Sequence, residues 1–365
     1  MRETIIRYFP LICLTFLTAF LGVVFFVPRI RTFALKIGAV QYGGGRRVHN
    51  GSVPNIGGIA IFSGFLIALL LGNILRPDLL GTYRVELLAI ILGAALMTLI
   101  GFIDDIWEMS AAARLSAQFV AAGILVVNGV KVDYIINYFS AVGLPYVYFG
   151  ETLSIAITLL WVVGFTNAFN FIDGLDGLSS GLATISSLSL LAVALQFPDR
   201  GAAILLLVAL AGSSLGFLRH NFSPAKIIMG DSGAYMLGYV LAAVSILGGL
   251  KGAATLTVAA PILVLALPVL NITQVTLRRI SRGASPAMAA NDHLHDILRL
   301  RSGSKNVAVI VLWIAALGLG TLGMMLSNTP PLLMYLTVAM TVIMMAVVCL
   351  WRYLEVKRER LADNV

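Results

Sequence analysis

WVVGFTNAFNFIDGLDGLSSG, residues 161–181, carries four polar side chains between apolar flanks of membrane-span length. Asn167, Asn170, Asp173 and Asp176 follow one another at three-residue steps, with Gly174, Gly177 and Gly181 among and after them. Side chains three or four apart share a helix face, so the spacing predicts that all four polar groups point into one pocket. The glycines allow backbone to come close to a ligand. The competing reading is a solvated loop between two spans, since Asn, Asp and Gly are ordinary loop residues. Ionisable groups beside membrane spans favour the functional reading.

The rest of the chain supplies the membrane. Of 365 residues, 59% are hydrophobic and only 12% charged, which excludes the balance of a soluble globular protein. Segments of about 17–25 apolar residues are long enough to cross a bilayer as helices. Eleven are expected, at about 8–27, 54–74, 85–103, 114–129, 152–168, 178–197, 202–218, 232–249, 253–275, 307–326 and 331–350. The fold class is therefore an all-α polytopic membrane protein, with residues 1–365 as a single integral domain. The first segment follows Arg2 and Arg7 without a small-residue cleavage site and reads as a retained span. Cys13 and Cys349 both lie inside apolar runs, so neither a disulfide framework nor a cysteine metal site is indicated.

Basic residues set the expected orientation. Of 25 Lys and Arg, 18 fall in loops on one side, including Arg46, Arg47, Arg114, Arg219, Lys226, Arg278, Arg299 and Arg352. That side is expected to be cytoplasmic, with the N-terminus outside and the C-terminus inside. The net charge of +8 reflects this asymmetry and attraction to anionic lipid, and does not point to nucleic acid.

The unusual polar residues fall on the same basic face. Arg46, Arg47 and His49 precede a Pro54–Gly57–Gly58 turn that opens the second span. A phosphate or lipid-headgroup site and a plain positive-inside anchor fit this segment equally. The third span runs into GFIDDIWEMSAAAR, residues 101–114, where Asp104 and Asp105 repel each other unless a cation or proton relieves them. Neighbouring helical side chains diverge by about 100°, so the two carboxylates face different partners. Arg114 lies ten residues on and balances negative charge nearby. Residues 130–150, rich in Tyr and Val, form an external connection that suits a small interfacial hairpin.

In LRHNFSPAKIIMGDSGAY, residues 218–235, Asn221 and Asp231 are the notable groups. Asp231, between Gly230 and Gly233, suits either a hard cation such as Mg²⁺ or the N-cap of the next span. The longest cytoplasmic loop, 276–306, contains His293 and His295 beside Asp292 and Asp296, then Arg299 and Arg301. Diphosphate binding and a surface amphipathic helix both fit that pattern. Together, carboxylates that hold a divalent ion and bases that grip phosphates are the equipment of phosphoryl transfer, where positioning and charge neutralisation do most of the catalysis. A secondary transporter would place its polar groups near the bilayer midplane rather than at one edge. A non-catalytic lipid-binding scaffold explains the basic loops but not the gathered carboxylates.

Five motifs in order, RRVHNGSVPNIGGIAIF, GFIDDIW, NAFNFIDGLDGL, NFSPAKIIMGDSG and DHLH, resemble those of the polyprenyl-phosphate N-acetylhexosamine-1-phosphate transferases. The match runs over nearly the whole chain and is nearest to the undecaprenyl-phosphate N-acetylglucosaminyl 1-phosphate transferases. The phospho-MurNAc-pentapeptide translocases are more distant members. The resemblance implies a multi-pass enzyme of the inner (plasma) membrane with its active site facing the cytoplasm. The lipid phosphate would attack the β-phosphate of a UDP-sugar, giving lipid-diphospho-sugar and UMP at the start of cell-envelope polysaccharide synthesis.

By the same resemblance Asp104 and Asp105 match an acidic pair acting near the lipid phosphate, as base or electrostatic organiser. Asn170 and Asp231 match positions that bind Mg²⁺ (with Mn²⁺ as substitute). Asp173, Asp176, Asn221, His293 and His295 match the nucleotide-sugar site, and Arg114 matches a basic position facing phosphates; His49 and Arg299, read from their own basic loops, are the further candidates for binding phosphate or lipid. UDP-GlcNAc is the expected donor, with UDP-linked GalNAc, QuiNAc, FucNAc or MurNAc-pentapeptide open, and a homodimer is a family expectation. Three residues depart from the pattern. Ile228 replaces an aromatic residue thought to stack on uracil, Ala234 replaces a hydroxyl residue, and Asp296 stands where relatives carry a further histidine.

Overall fold

The computed structural model describes residues 2–44, 47–77, 83–136, 146–197, 199–247, 263, 265–281 and 293–362. Its helices, in chain order, are α1 (Arg2–Ile37), α2 (Gly58–Leu75), α3 (Arg84–Trp107), α4 (Ala111–Val127), α5 (Glu151–Ile172), α6 (Leu178–Ala194), α7 (Gly201–Asn221), α8 (Gly230–Leu247), α9 (Ala266–Ser281), α10 (Leu294–Ser302), α11 (Lys305–Leu326) and α12 (Pro331–Ala362). Among the described residues, α1, α2, α3, α5, α7, α8, α11 and α12 are long and apolar enough to cross a membrane. Helices α4 and α6 are apolar too but only 17 residues each. These ten coincide with ten of the eleven expected segments, so the chain is a nearly all-helical, polytopic membrane protein. Of the remaining one, 253–275, residues 253–262 and 264 lie outside the described residues, and its second half overlaps α9, which begins at Ala266.

Two helices form the centre. Helix α7 is apolar around its circumference up to its last turn and buried along its whole length, as a helix without a polar stripe must be. It packs against α1, α2 and α6, while α8 packs against α3 and α5. The outer helices expose Leu, Ile and Phe side chains along their length, the surface a lipid-facing helix requires.

The chain is not purely helical. Strands β1 (Val40–Gly44) and β2 (Arg47–Pro54) pair antiparallel before α2, where the sequence suggested only a basic loop and a turn. The hairpin expected within 130–150 is present as β3 (Tyr134–Ile136) against β4 (Tyr146–Tyr148), with Tyr134 opposite Tyr148. Within 276–306, expected as one long loop, α9 continues to Ser281 and α10 occupies Leu294–Ser302, while 282–292 lie outside the described residues.

Glycines let the helices that carry the acidic residues approach to backbone contact. A Cβ on Gly101 of α3 would lie 2.3 Å from the Ser232 nitrogen, and one on Gly58 of α2 would lie 2.0 Å from the Gly233 nitrogen. The first turn of α8 is thereby wedged between the end of α3 and the start of α2. The segment before it runs beside the start of α2, with Ile228 N–H donating to the Pro54 carbonyl (2.7 Å) and Gly58 N–H to that of Met229 (2.9 Å).

Candidate active site

Helix α3 stops just after its acidic pair. Glu108 adopts a left-handed backbone (φ 46°), and the next N–H, of Met109, donates to Asp104 Oδ1 at 2.7 Å. Ser110 then caps α4, accepting from the N–H of Ala113 at 3.2 Å. This tight corner returns Arg114 onto Asp104, with Nη1 at 3.2 Å from Oδ2. The Tyr235 hydroxyl of α8 donates to the same oxygen at 3.2 Å. Asp105 faces the other way, as the helical step requires. Its two oxygens accept the backbone N–H groups of Asp231 (2.8 Å) and Ser232 (3.2 Å). All four oxygens of the acidic pair therefore accept hydrogen bonds.

The residues from α5 diverge, which corrects the expectation that four polar groups share one pocket. The helix ends at Ile172, so Asp173 and Asp176 leave its face. Asn167 forms a reciprocal amide pair with Gln118 of α4. Asn170 Nδ2 makes a short hydrogen bond to Asp231 Oδ1. Asp173 caps the end of α5, and burial, assisted by the nearby Asp176 charge, pushes its carboxyl up to about 7. Asp176 is buried and accepts the Ala225 N–H at 3.3 Å. Asn221 is also buried; its Oδ1 accepts the Gly177 N–H (2.9 Å), and its Nδ2 donates to the Ile227 carbonyl (2.9 Å).

Between these groups lies a cavity of about 430 Å³. Asp104, Asp105, Arg114, Asn170, Asp173 and Asp231 line it, together with Ile228. Gly230, Gln41, Asn55, Glu108 and Met109 complete the lining, the last four carrying no mark of a site in the sequence. Gln41 and Asn55 enter because the β1–β2 hairpin folds over this end of the bundle, and Asn55 Nδ2 donates to the Asp105 carbonyl at 3.2 Å. No local signal marks the bond between Asn55 and Asp105, 50 residues apart.

The histidine segment sits at the Asp173 edge. His295 packs so closely on Gly174 that a Cβ there would lie 2.0 Å from its Nε2. His293 stacks between Phe171 and His295, with ring centroids 5.9 and 5.4 Å away. Asn271 of α9 anchors this turn, accepting the Leu294 N–H at 2.9 Å and lying 3.3 Å from His293 Nδ1. Burial lowers His295 to about 4. Arg299 pairs with Asp296 at 3.6 Å, and neither lines the cavity. His49 falls in β2, but its side chain lies outside the described part of the structure, as does Asp292.

Asp231 and Asn170 offer a carboxylate and an amide, both hard oxygen donors of the kind Mg²⁺ takes alongside water and substrate phosphates. Amide oxygen and nitrogen exchange places on a half-turn of the side chain, so Asn170 is able to present oxygen to a cation held by Asp231. The residues thus fit the ion. Among the described residues there is no cluster of three or more His, Cys, Asp or Glu arranged as a complete metal cage.

Comparison with known proteins bears on this arrangement. The family described as Glycosyl transferase family 4 matches residues 87–249, the stretch holding Asp104, Asp105, Asn170, Asp173, Asp176, Asn221 and Asp231. The chain is 33% identical over 306 residues to a probable undecaprenyl-phosphate N-acetylglucosaminyl 1-phosphate transferase of Bacillus subtilis, covering 83% of this chain and 81% of that one. It is 33% identical over 335 residues to the decaprenyl-phosphate N-acetylglucosaminephosphotransferase of Mycolicibacterium smegmatis, covering 83% and 80%. Similarity to the phospho-N-acetylmuramoyl-pentapeptide-transferase of Listeria welshimeri is 32% over 251 residues, covering 64% and 74%.

Proposed function

The chain belongs to the polyprenyl-phosphate sugar-1-phosphate transferases of glycosyl transferase family 4, and on that premise we propose that it transfers GlcNAc-1-phosphate from UDP-GlcNAc to undecaprenyl phosphate. An oxygen of the lipid phosphate bonds to the β-phosphorus of the donor, and the bond from that phosphorus to the bridging oxygen breaks. UMP leaves, and lipid-diphospho-GlcNAc remains in the membrane as the first intermediate of a cell-envelope polysaccharide. The active site faces the cytoplasm, the side that carries 18 of the 25 basic residues.

The observation that carries this reading is the joint lining of one cavity by Asp231, Asn170, Asp173, the Asp104–Asp105 pair and Arg114. Asp231 and Asn170 are the residues that would hold Mg²⁺, which neutralises diphosphate charge when bound. Arg114, kept in place by Asp104 and about one-third exposed, retains N–H donors for phosphoryl oxygens. A phosphomonoester has a second pKa near ~6, so the lipid phosphate is largely ionised at neutral pH and needs no strong base. That agrees with an acidic pair whose oxygens are occupied: Asp104 orients Arg114, and Asp105 holds the start of α8. Asp173 and Ile228 form the donor side of the wall, with His293 and His295 beside it for the sugar-diphosphate. Asp176 and Asn221 position the backbone around them rather than reaching into the cavity.

Asp231→Asn in the purified protein tests the assignment. The variant is expected to keep the wild-type melting temperature within a few degrees and to lose at least 100-fold in Mg²⁺-dependent UMP release. Turnover like the wild type in that variant would remove Asp231 from the proposed ion site.

A further inference from the structure

The wall segment between α7 and α8, residues 222–229, is tied on its inner side by the bonds already described at Ala225, Ile227 and Ile228. Its outer side is held by the last helix. Helix α12 has 32 residues, long enough for its end to reach past the bundle onto this segment. There Glu355 collects three cations: Lys226 Nζ at 2.9 Å, Arg352 Nη1 at 3.1 Å and Arg219 Nη2 at 3.3 Å. Glu359 adds a second carboxylate 2.7 Å from Lys226. Arg352 also donates to the carbonyl of Pro224, and the Arg219 guanidinium lies 4.1 Å over the Trp351 ring.

This is not a loose surface pair. The Arg352 and Arg219 side chains are 4% and 9% exposed, and Glu355 is about three-quarters buried. Removing one member of such a shielded network strands the others, which makes its loss far more consequential than that of an exposed ion pair. The cations come from α7, the wall segment and α12, so one carboxylate couples three parts of the chain.

We propose that Glu355 is a positioning residue for the sugar-nucleotide half of the site, and that the end of α12 is a strap which fixes the wall carrying Ile228 and leading into Asp231. The inference rests on the donor-side role proposed above for Ile228 and Asp173. Glu355 touches no substrate and acts only through Lys226, Arg352 and Arg219.

The test uses the full-length protein in detergent, with Glu355→Gln and Lys226→Met made singly and together. Hydrogen exchange of residues 222–229, read without substrate, is expected to accelerate in each variant, because the amides of Ala225, Lys226 and Ile228 donate from this wall to Asp176, His220 and Pro54, bonds that need the wall held in place. The KM for UDP-GlcNAc is expected to rise about tenfold in each single variant, with kcat and the KM for undecaprenyl phosphate changing less than about twofold. The double variant is expected to resemble either single one, since both break the same contact. Unchanged exchange in Glu355→Gln would overturn the strap. Accelerated exchange with an unaltered KM for the donor would overturn the positioning role. If wild-type protein consumed no UDP-sugar while exchange accelerated as described, the donor reading would fail and the strap would stand.

Discussion

The carboxylate of Asp105 caps the first turn of a helix more than 100 residues away, receiving the backbone N–H groups of Asp231 at 2.8 Å and Ser232 at 3.2 Å. Unpaired N–H groups at a helix start favour a negative partner. Here the partner is supplied by a different helix, so the cap also fixes Asp231 relative to Asp104. Asp105→Ala is expected to lower stability by about 1 kcal/mol, as loss of an N-cap does, and to reduce turnover at least 100-fold. Asp105→Asn keeps one acceptor and should recover most of the stability. Thermal unfolding in detergent measures the first effect and UMP release the second; an unchanged melting temperature in Asp105→Ala would contradict the capping role.

Gly230 makes that junction possible. Its φ is +71°, and a Cβ there would lie 1.9 Å from the Asn55 carbonyl oxygen and 2.5 Å from Asp105 Oδ2. Gly230→Ala is expected to abolish turnover and sharply lower the yield of folded protein. Gly303 provides the comparison, since its φ is +66° with nothing within 4 Å of an added Cβ. Gly303→Ala should cost only the left-handed backbone strain, about 1–2 kcal/mol. Equal behaviour of the two variants in size-exclusion and melting measurements would exclude the steric argument.

Much of this was legible in the sequence and some was not. Apolar segment lengths located ten helices, because span length is set by the bilayer rather than by partners. The divergence of Asp104 and Asp105 follows from the helical step alone. The expected span ends near 168 and α5 ends at Ile172, so the three-residue periodicity that places Asp173 and Asp176 on one helix face runs past the helix that would present them. Asp231 suits a capping residue by sequence, whereas the N–H groups of its turn are capped by Asp105. Asn55 and Gln118 carry no signal, because each reaches its place through a partner about 50 residues away, and Gln41 carries none because the sequence suggests no hairpin there.

His295 carries a pH dependence whose sign follows from its burial. Its imidazole is lowered from an ordinary value of 6.5 to about 4, so folding favours the neutral ring. The stabilisation is fully present above pH 6.5 and is lost as pH falls through about 4. Over that window the loss amounts to at most about 3–4 kcal/mol, taking about 1.4 kcal/mol per unit. Melting temperatures of wild type and His295→Gln, compared from pH 7.5 to 4.5, should show a steeper decline in the wild type. Parallel curves would contradict a neutral, buried His295.

Ile228 lines the cavity where relatives are expected to place an aromatic ring. Stacking of a base on an aromatic side chain contributes about 1–3 kcal/mol. Ile228→Phe is therefore expected to lower the KM for the UDP-sugar about fivefold or more without altering the KM for the lipid. Initial rates with each substrate varied in turn would show this, and an unchanged donor KM would place the uracil elsewhere.

The most direct test is UMP release by purified protein with undecaprenyl phosphate, Mg²⁺ and a panel of UDP-HexNAc donors. Release that requires both the lipid and Mg²⁺, fastest with UDP-GlcNAc, is the expected result. Absence of lipid-dependent UMP with every donor, under conditions where a related transferase turns over, would contradict it.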